Sequence, residues 1–214
     1  MNVLHTRRAA VTLTAALVLP LALTACSGES EDSAAGSEAS SSKASAPASE
    51  AAVDPMKAPF GPGCSAVPKS GAGSFNGMAA DPVATAASHN PSLSTLVAAV
   101  KKADLVDTLN NARNITVFAP TDAAFAKVPK ADLDKLLADK AALTKVLTYH
   151  VVGRKLTPEQ LAHGSFGTLE KSELKTSGSG VAYTVNDTSK VVCGNVPTAN
   201  ATVYLVDTVL MPTD

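Results

Sequence analysis

Every aromatic side chain of this 214-residue chain lies beyond position 59: five Phe and three Tyr, with no Trp at all, beginning at Phe60. A core is hard to close without such anchors, so the globular part lies downstream, where about 155 residues remain, the size of one ordinary domain. Two large domains are excluded. The net charge of −1 leaves no basic excess to neutralise phosphates, which speaks against nucleic acid as a partner. Three cysteines are too few for a disulfide-dense miniprotein.

The aromatic-free segment has its own logic. Arg7 and Arg8 precede an uncharged stretch, Ala9 to Leu23, that reads as the apolar region of an export signal. It is shorter than the ~18 to 20 residues a spanning helix needs, and Pro20 interrupts it. Leu23-Thr24-Ala25-Cys26 resembles the bacterial lipobox, in which the Cys is acylated and becomes the new N-terminus. Residues 1–25 are therefore expected to be removed and Cys26 to carry lipid. Two or more chains, at ~0.8 kcal/mol per buried CH₂, hold a protein stably on a membrane. The arginine pair alone does not decide between the general and twin-arginine export routes. Ser27 to Pro55 contains nine Ser, eight Ala and six acids, with Val53 as its one larger aliphatic. Such a composition cannot offset its ordering entropy and predicts a flexible tether spanning ~30 Å on average and ~100 Å at full stretch.

From residue 56 to 214 the pattern becomes that of a domain. Asp81-Pro82 and Asn90-Pro91 each place a capping side chain before a Pro, a favourable helix start. Leu93, Leu96, Val97 and Val100 follow at helical spacing. Leu105, Val106 and Leu109 predict a short helix ending at Asn110-Asn111, before an apolar strand from Ile115 to Phe118. Pro120 stops that strand, and Thr121 or Asp122 caps another helix. Leu133, Leu136 and Leu137, then Leu143, Val146 and Leu147, mark two more helices that lead to a strand at Tyr149 to Val152. Thr157-Pro158-Glu159-Gln160 has the form of a capping box opening one turn, closed by Gly164. The rest predicts strands at Phe166 to Leu169, Glu173 to Lys175, Val181 to Val185, Lys190 to Cys193 and Thr202 to Leu210, with a hairpin turn at Gly178 to Gly180. Helices first and strands last argue for an α+β fold.

Three segments in order carry a family resemblance. Thr116 to Phe125 (TVFAPTDAAF), Leu147 to Val152 (LTYHVV) and Val203 to Pro212 (VYLVDTVLMP) resemble the first signature, the central Tyr-His motif and the second signature of fasciclin domains. Gly61-Pro62-Gly63-Cys64 and Val191-Val192-Cys193-Gly194 are similar to a subset of that family, the mycobacterial secreted and lipid-anchored surface antigens. The resemblance implies a wedge of two β-sheets flanked by several short helices, and roles in adhesion at cell surfaces. It also implicates Tyr149 and His150 in binding. Some members carry an Asp-Ile recognition pair upstream of the second signature. The corresponding residues here are Asn195 and Val196, without the acid.

Cys64 and Cys193 are the thiols left after lipidation of Cys26, and an exported protein makes a disulfide between them the economical reading. A zinc site is the weaker alternative, because His89, His150 and His163 show no ligand spacing. A lone His beside β-branched residues is usually a core side chain with its nitrogens on backbone groups, and this reading of His150 stands beside the binding one. Asp207 lies in an apolar strand and needs donors if buried; a backbone turn or a hydroxyl such as that of Thr121 would supply them, making both residues structural. Gly71 to Gly77 reads as an entry loop rather than a nucleotide loop. Three Asn-x-Ser/Thr sequons, at Asn114, Asn186 and Asn200, carry no weight in a chain with a bacterial lipobox. No nucleophile elbow, metal set or paired carboxylates mark an enzyme, and no cofactor is implied.

The function expected from the sequence is therefore non-enzymatic: a monomeric, lipid-anchored protein on the outer face of a bacterial membrane. It would adhere to, or interact with, an unidentified cell-surface or matrix protein or a glycan. A carrier of a hydrophobic ligand is the rival class, which a deep apolar pocket would favour. A surface hydrolase built on His150 or His163 is the second rival.

Overall fold

Ile115–Pro120 and Ala201–Val206 are two apolar runs with every residue buried, the mark of strands covered on both faces. They form β1 and β7, which lie side by side in parallel register from Ile115 opposite Ala201 to Pro120 opposite Val206. Successive side chains alternate between faces. Val117, Ala119, Val203 and Leu205 enter one core, while Phe118, Tyr204 and Val206 enter a second. The computed structural model describes residues 58–212. The expected signal at 1–25, the lipid-bearing Cys26 and the tether to Pro55 lie outside the described residues.

Seven helices and seven strands are seen among those residues. The helices are α1 (Phe75–Ala80), α2 (Val83–Ser88), α3 (Ser94–Lys102), α4 (Val106–Asn111), α5 (Asp122–Ala126), α6 (Lys130–Ala138) and α7 (Lys140–Tyr149). The remaining strands are β2 (Val151–Val152), β3 (His163–Gly167), β4 (Glu173–Ser179), β5 (Ala182–Val185) and β6 (Ser189–Pro197). The α+β expectation holds, with helices concentrated before β2 and strands after it. The first core gathers residues of α1 to α5 and α7 against β1 and β7. The second packs Phe60, Leu156, Leu161, Phe166 and Tyr183 on the other face, where the Phe118 and Tyr204 rings stack with centroids 5.7 Å apart. No helix of the described residues is long and apolar enough to cross a membrane.

The two expected sheets are joined into one seven-strand order, β2-β1-β7-β6-β5-β4-β3. The junction is β6, whose pairing with β7 slips between Val191 and Cys193 and again between Cys193 and Val196. Each slip places an extra residue on β6, and such bulges bend and twist a strand. Asn195 occupies the second with a φ of 55°, a left-handed conformation that Asn tolerates better than most residues.

Several local readings need correction. Asp81 does not cap α2: the Val83 N–H is taken at 2.8 Å by Asn200 Oδ1, from the far end of the chain. Asn90 does cap the 3₁₀ turn Pro91–Leu93, and Thr121 caps α5 by accepting from Ala124 N. Tyr149 ends α7 rather than starting a strand. Gly164 lies inside β3, and Leu169 falls beyond it. In the hairpin Gly178 still pairs with Tyr183, so the turn is at Gly180 and Val181. Finally, β7 stops at Val206, because Asp207 turns away to bond with the start of β6.

Candidate functional site

Tyr149 and His150 stand where α7 hands the chain to β2, and both are only 2% exposed. The His150 Nδ1–H donates to Val146 O at 2.8 Å, and its Nε2 accepts from Leu210 N at 3.0 Å. A carbonyl can only accept and an amide can only donate, so the ring is the neutral Nδ1–H tautomer. Burial pushes its pKa down from 6.5 to about 4, partly opposed by the bond to Val146. The Tyr149 hydroxyl donates to Glu173 O at 3.0 Å and accepts from Asn186 Nδ2 at 2.7 Å. Neither side chain presents a free edge to solvent, which corrects the expectation that this pair contacts a partner. With both ring nitrogens on backbone groups, His150 has none to offer a serine hydroxyl.

Asp207 is structural in its contacts but not as expected. It is partly exposed just past β7, and its carboxylate accepts from Lys190 N at 2.8 Å, Lys127 Nζ at 2.9 Å and Thr208 Oγ1 at 3.1 Å. Thr121 is not among its donors. Its hydroxyl instead donates to Val206 O at 3.4 Å and caps α5. Burial raises the Asp207 pKa, but the bonds from Lys127 and Lys190 outweigh it and hold the carboxyl below the ordinary range. Asp122 behaves alike: burial opposes, while bonds from Thr95 N and the Ser94 hydroxyl prevail, and these bonds cap the N-terminus of α3.

Cys64 and Cys193 are bonded as a disulfide, with Cα atoms 4.8 Å apart across a separation of 129 residues. The entry segment before Cys64 lies against β6. Phe60 and Gly194 exchange backbone bonds of 3.1 and 2.8 Å, and Gly61 takes a φ of 106° where a Cβ would fall 2.5 Å from Val192 O. Asn195 reaches back to Ala58 O at 3.4 Å, and Val196 is buried in the first core. Among the described residues no group of three His, Cys, Asp or Glu is placed to hold a metal ion.

The sequence marks no apolar cleft, yet one forms on the helical side. A cavity of about 180 Å³ opens among α2, α3 and α4 above the helical face of the sheet. Val117, Val203 and Leu205 line its inner part, with Leu96 and Leu147. Ala87, Val97 and Val106 are half-buried around it, and Ser88 and Lys101 are exposed at its rim. Asn90 is also on the wall, 2% exposed, and its Nδ2 has no hydrogen-bond partner. In the sequence Asn90 is visible only as a helix cap; nothing local marks its amide as unpaired.

A deep fold of helices on one face of a bulged mixed sheet, with the Tyr-His pair locked behind the first and last strands, defines a fasciclin domain. The chain belongs to the fasciclin family, whose domain model matches residues 91–212. It is 47% identical over 176 residues to the cell surface glycolipoprotein MPB83 of Mycobacterium bovis, covering 78% of this chain and 79% of that one. To the immunogenic protein MPT70 of Mycobacterium tuberculosis it is 46% identical over 160 residues, 71% of this chain and 81% of that one. Among solved structures, the domain pair of the insect cell adhesion molecule Fasciclin I matches with a TM-score of 0.52 at 19% identity. That match covers 64% of this chain and 52% of the pair, so the chain spans about half of that structure, and the likeness is one of fold.

Proposed function

We propose that this chain is a lipid-anchored bacterial surface protein whose single fasciclin domain mediates adhesion or protein or glycan interaction at the envelope. The observation that carries the reading is the conjunction of the lipobox at Leu23 to Cys26 with 47% identity to a protein named as a cell surface glycolipoprotein. Lipid on Cys26 holds the chain at the outer face of the membrane, and the Ser/Ala-rich tether gives the domain reach. Recognition then belongs to exposed loops and helix faces on a rigid scaffold, not to Tyr149 or His150. A monomer with one domain draws avidity from many anchored copies on one surface.

Two measurements test this. The intact mass of the membrane-extracted protein is expected to show acyl additions on Cys26, and Cys26→Ser is expected to release the protein from the membrane; an unmodified Cys26 defeats the anchor. Cells displaying the protein are expected to bind envelope glycans, matrix proteins or sister cells saturably and better than cells without it. Equal binding in every arm defeats the adhesion reading.

A further inference from the structure

We propose that the cleft among α2, α3 and α4 is a binding site for a small apolar ligand with one hydrogen-bond acceptor, an acyl chain with its carbonyl, and that Asn90 Nδ2 donates to that oxygen. Size comes first. An apolar cavity of roughly 150 Å³ holds a benzene-sized guest, and this cleft offers about 180 Å³. Its inner wall is aliphatic, and its rim between α2 and α3 carries the small side chain of Ala87 rather than a bulky plug.

The polar groups on the wall give the ligand its chemistry. Thr85 Oγ1 accepts from Asn110 Nδ2 at 3.2 Å, Ser88 Oγ donates to Thr85 O at 2.6 Å, and Thr198 Oγ1 donates to Ala201 O at 3.0 Å. Both His150 nitrogens are taken as well. Asn90 Oδ1 accepts from Ser92 N at 3.0 Å, which fixes which end of the amide is oxygen and leaves the NH₂ group without a partner. A buried orphan donor is costly. A carbonyl oxygen needs only the one donor, and the chain attached to it covers the aliphatic wall.

The test uses the Cys26→Ser chain with its disulfide intact, which carries no acyl group of its own. Methyl octanoate, octane and phosphatidylglycerol vesicles are titrated against it by calorimetry, with heteronuclear NMR on the same samples. The ester is expected to bind one-to-one, with contacts to the Val203 and Leu205 methyl groups. Octane is expected to bind about tenfold more weakly, one hydrogen bond's worth. Asn90→Asp keeps an acceptor for Ser92 N and removes the donor; it is expected to bring the ester down to the level of octane or below. Ala87→Leu is expected to fill the mouth and abolish binding with the spectrum of the fold unchanged. Vesicles that compete with the ester assign the chain to a membrane lipid, and vesicles that do not assign it to a free molecule. No saturable binding of the ester to the unsubstituted domain, or binding without contacts to Val203 and Leu205, overturns the proposal. That failure would leave the anchor and adhesion tests untouched.

Discussion

His150 makes stability depend on pH in a window where few other groups act. In the folded domain its Nε2 accepts from Leu210 N, so adding a proton sets two N–H groups against each other in a buried site. The pKa falls to about 4 when folded, against 6.5 for a free imidazole, while the unfolded chain titrates normally. Above pH 6.5 both states are neutral and the full stability is present. As pH falls below 6.5 the unfolded chain takes up a proton that the folded one refuses, so stability is lost until the folded ring also titrates near pH 4. The gap is about 2.5 pH units, and at 1.36 kcal/mol per unit the loss approaches about 3 kcal/mol. Asp122 and Asp207, whose carboxyls are held below the ordinary 3.8, contribute stability that is lost only as pH falls below that value, outside this window. Urea unfolding at half-unit steps from pH 7.5 to 4.5 reads the effect directly. The expected slope approaches 1.36 kcal/mol per pH unit below pH 6, and His150→Gln is expected to remove most of it while lowering stability at pH 7.5. A flat profile in the parent chain, or an equal slope in His150→Gln, would refute the reasoning.

Three further outcomes follow from other contacts. Reducing the Cys64–Cys193 bond releases a loop of 129 positions and is expected to cost about 5 kcal/mol in the chain-entropy account; thiol titration should find these cysteines reactive only after reduction, and an unchanged melting temperature would contradict the prediction. Asn200→Ala removes the acceptor for Val83 N and the donor to Leu109 O, Asn110 O and Ala112 O, so chemical denaturation should show a loss of about 2 to 4 kcal/mol. Gly194→Ala would place a methyl group 2.5 Å from the Phe60 ring, and a loss of about 1 to 3 kcal/mol is expected, with a changed near-UV spectrum.

What the sequence reveals of this fold depends on how far each cause reaches along the chain. β1 and β7 are legible because burial on both faces writes a run with no charged residue. Thr121 is legible as a cap because its acceptor role is fulfilled three residues away. The cap of α2 is not, because its donor and acceptor are 117 residues apart. The Lys127–Asp207 pair spans 80 residues and leaves no local trace for the same reason. Strand ends in the second half are blurred because β3, β4 and β5 each expose one face, and polar residues there look like turns. The cleft is the extreme case. Its walls come from helices and strands that read correctly as core, and only the assembled packing shows that they fail to meet.

The placement of Tyr149 and His150 changes what the three signature segments mean together. The first supplies β1 and the cap of α5, and the last supplies β7; their strands are parallel neighbours, a pairing that requires a long connection between them. The middle segment lies inside that connection. Phe118 N donates to His150 O at 2.9 Å, the His150 ring takes the Leu210 amide beyond β7, and Tyr149 holds the β4 backbone and Asn186 beyond β5. One dipeptide thus ties β1, the segment after β7 and the second half of the sheet to the end of α7. Substituting it should disturb the surfaces that these strands and the end of α7 support, because they rest on this joint. Lost binding in a Tyr149 or His150 variant is therefore evidence of contact only if its unfolding free energy is unchanged. The buried hydrogen bonds of this joint predict that it will fall.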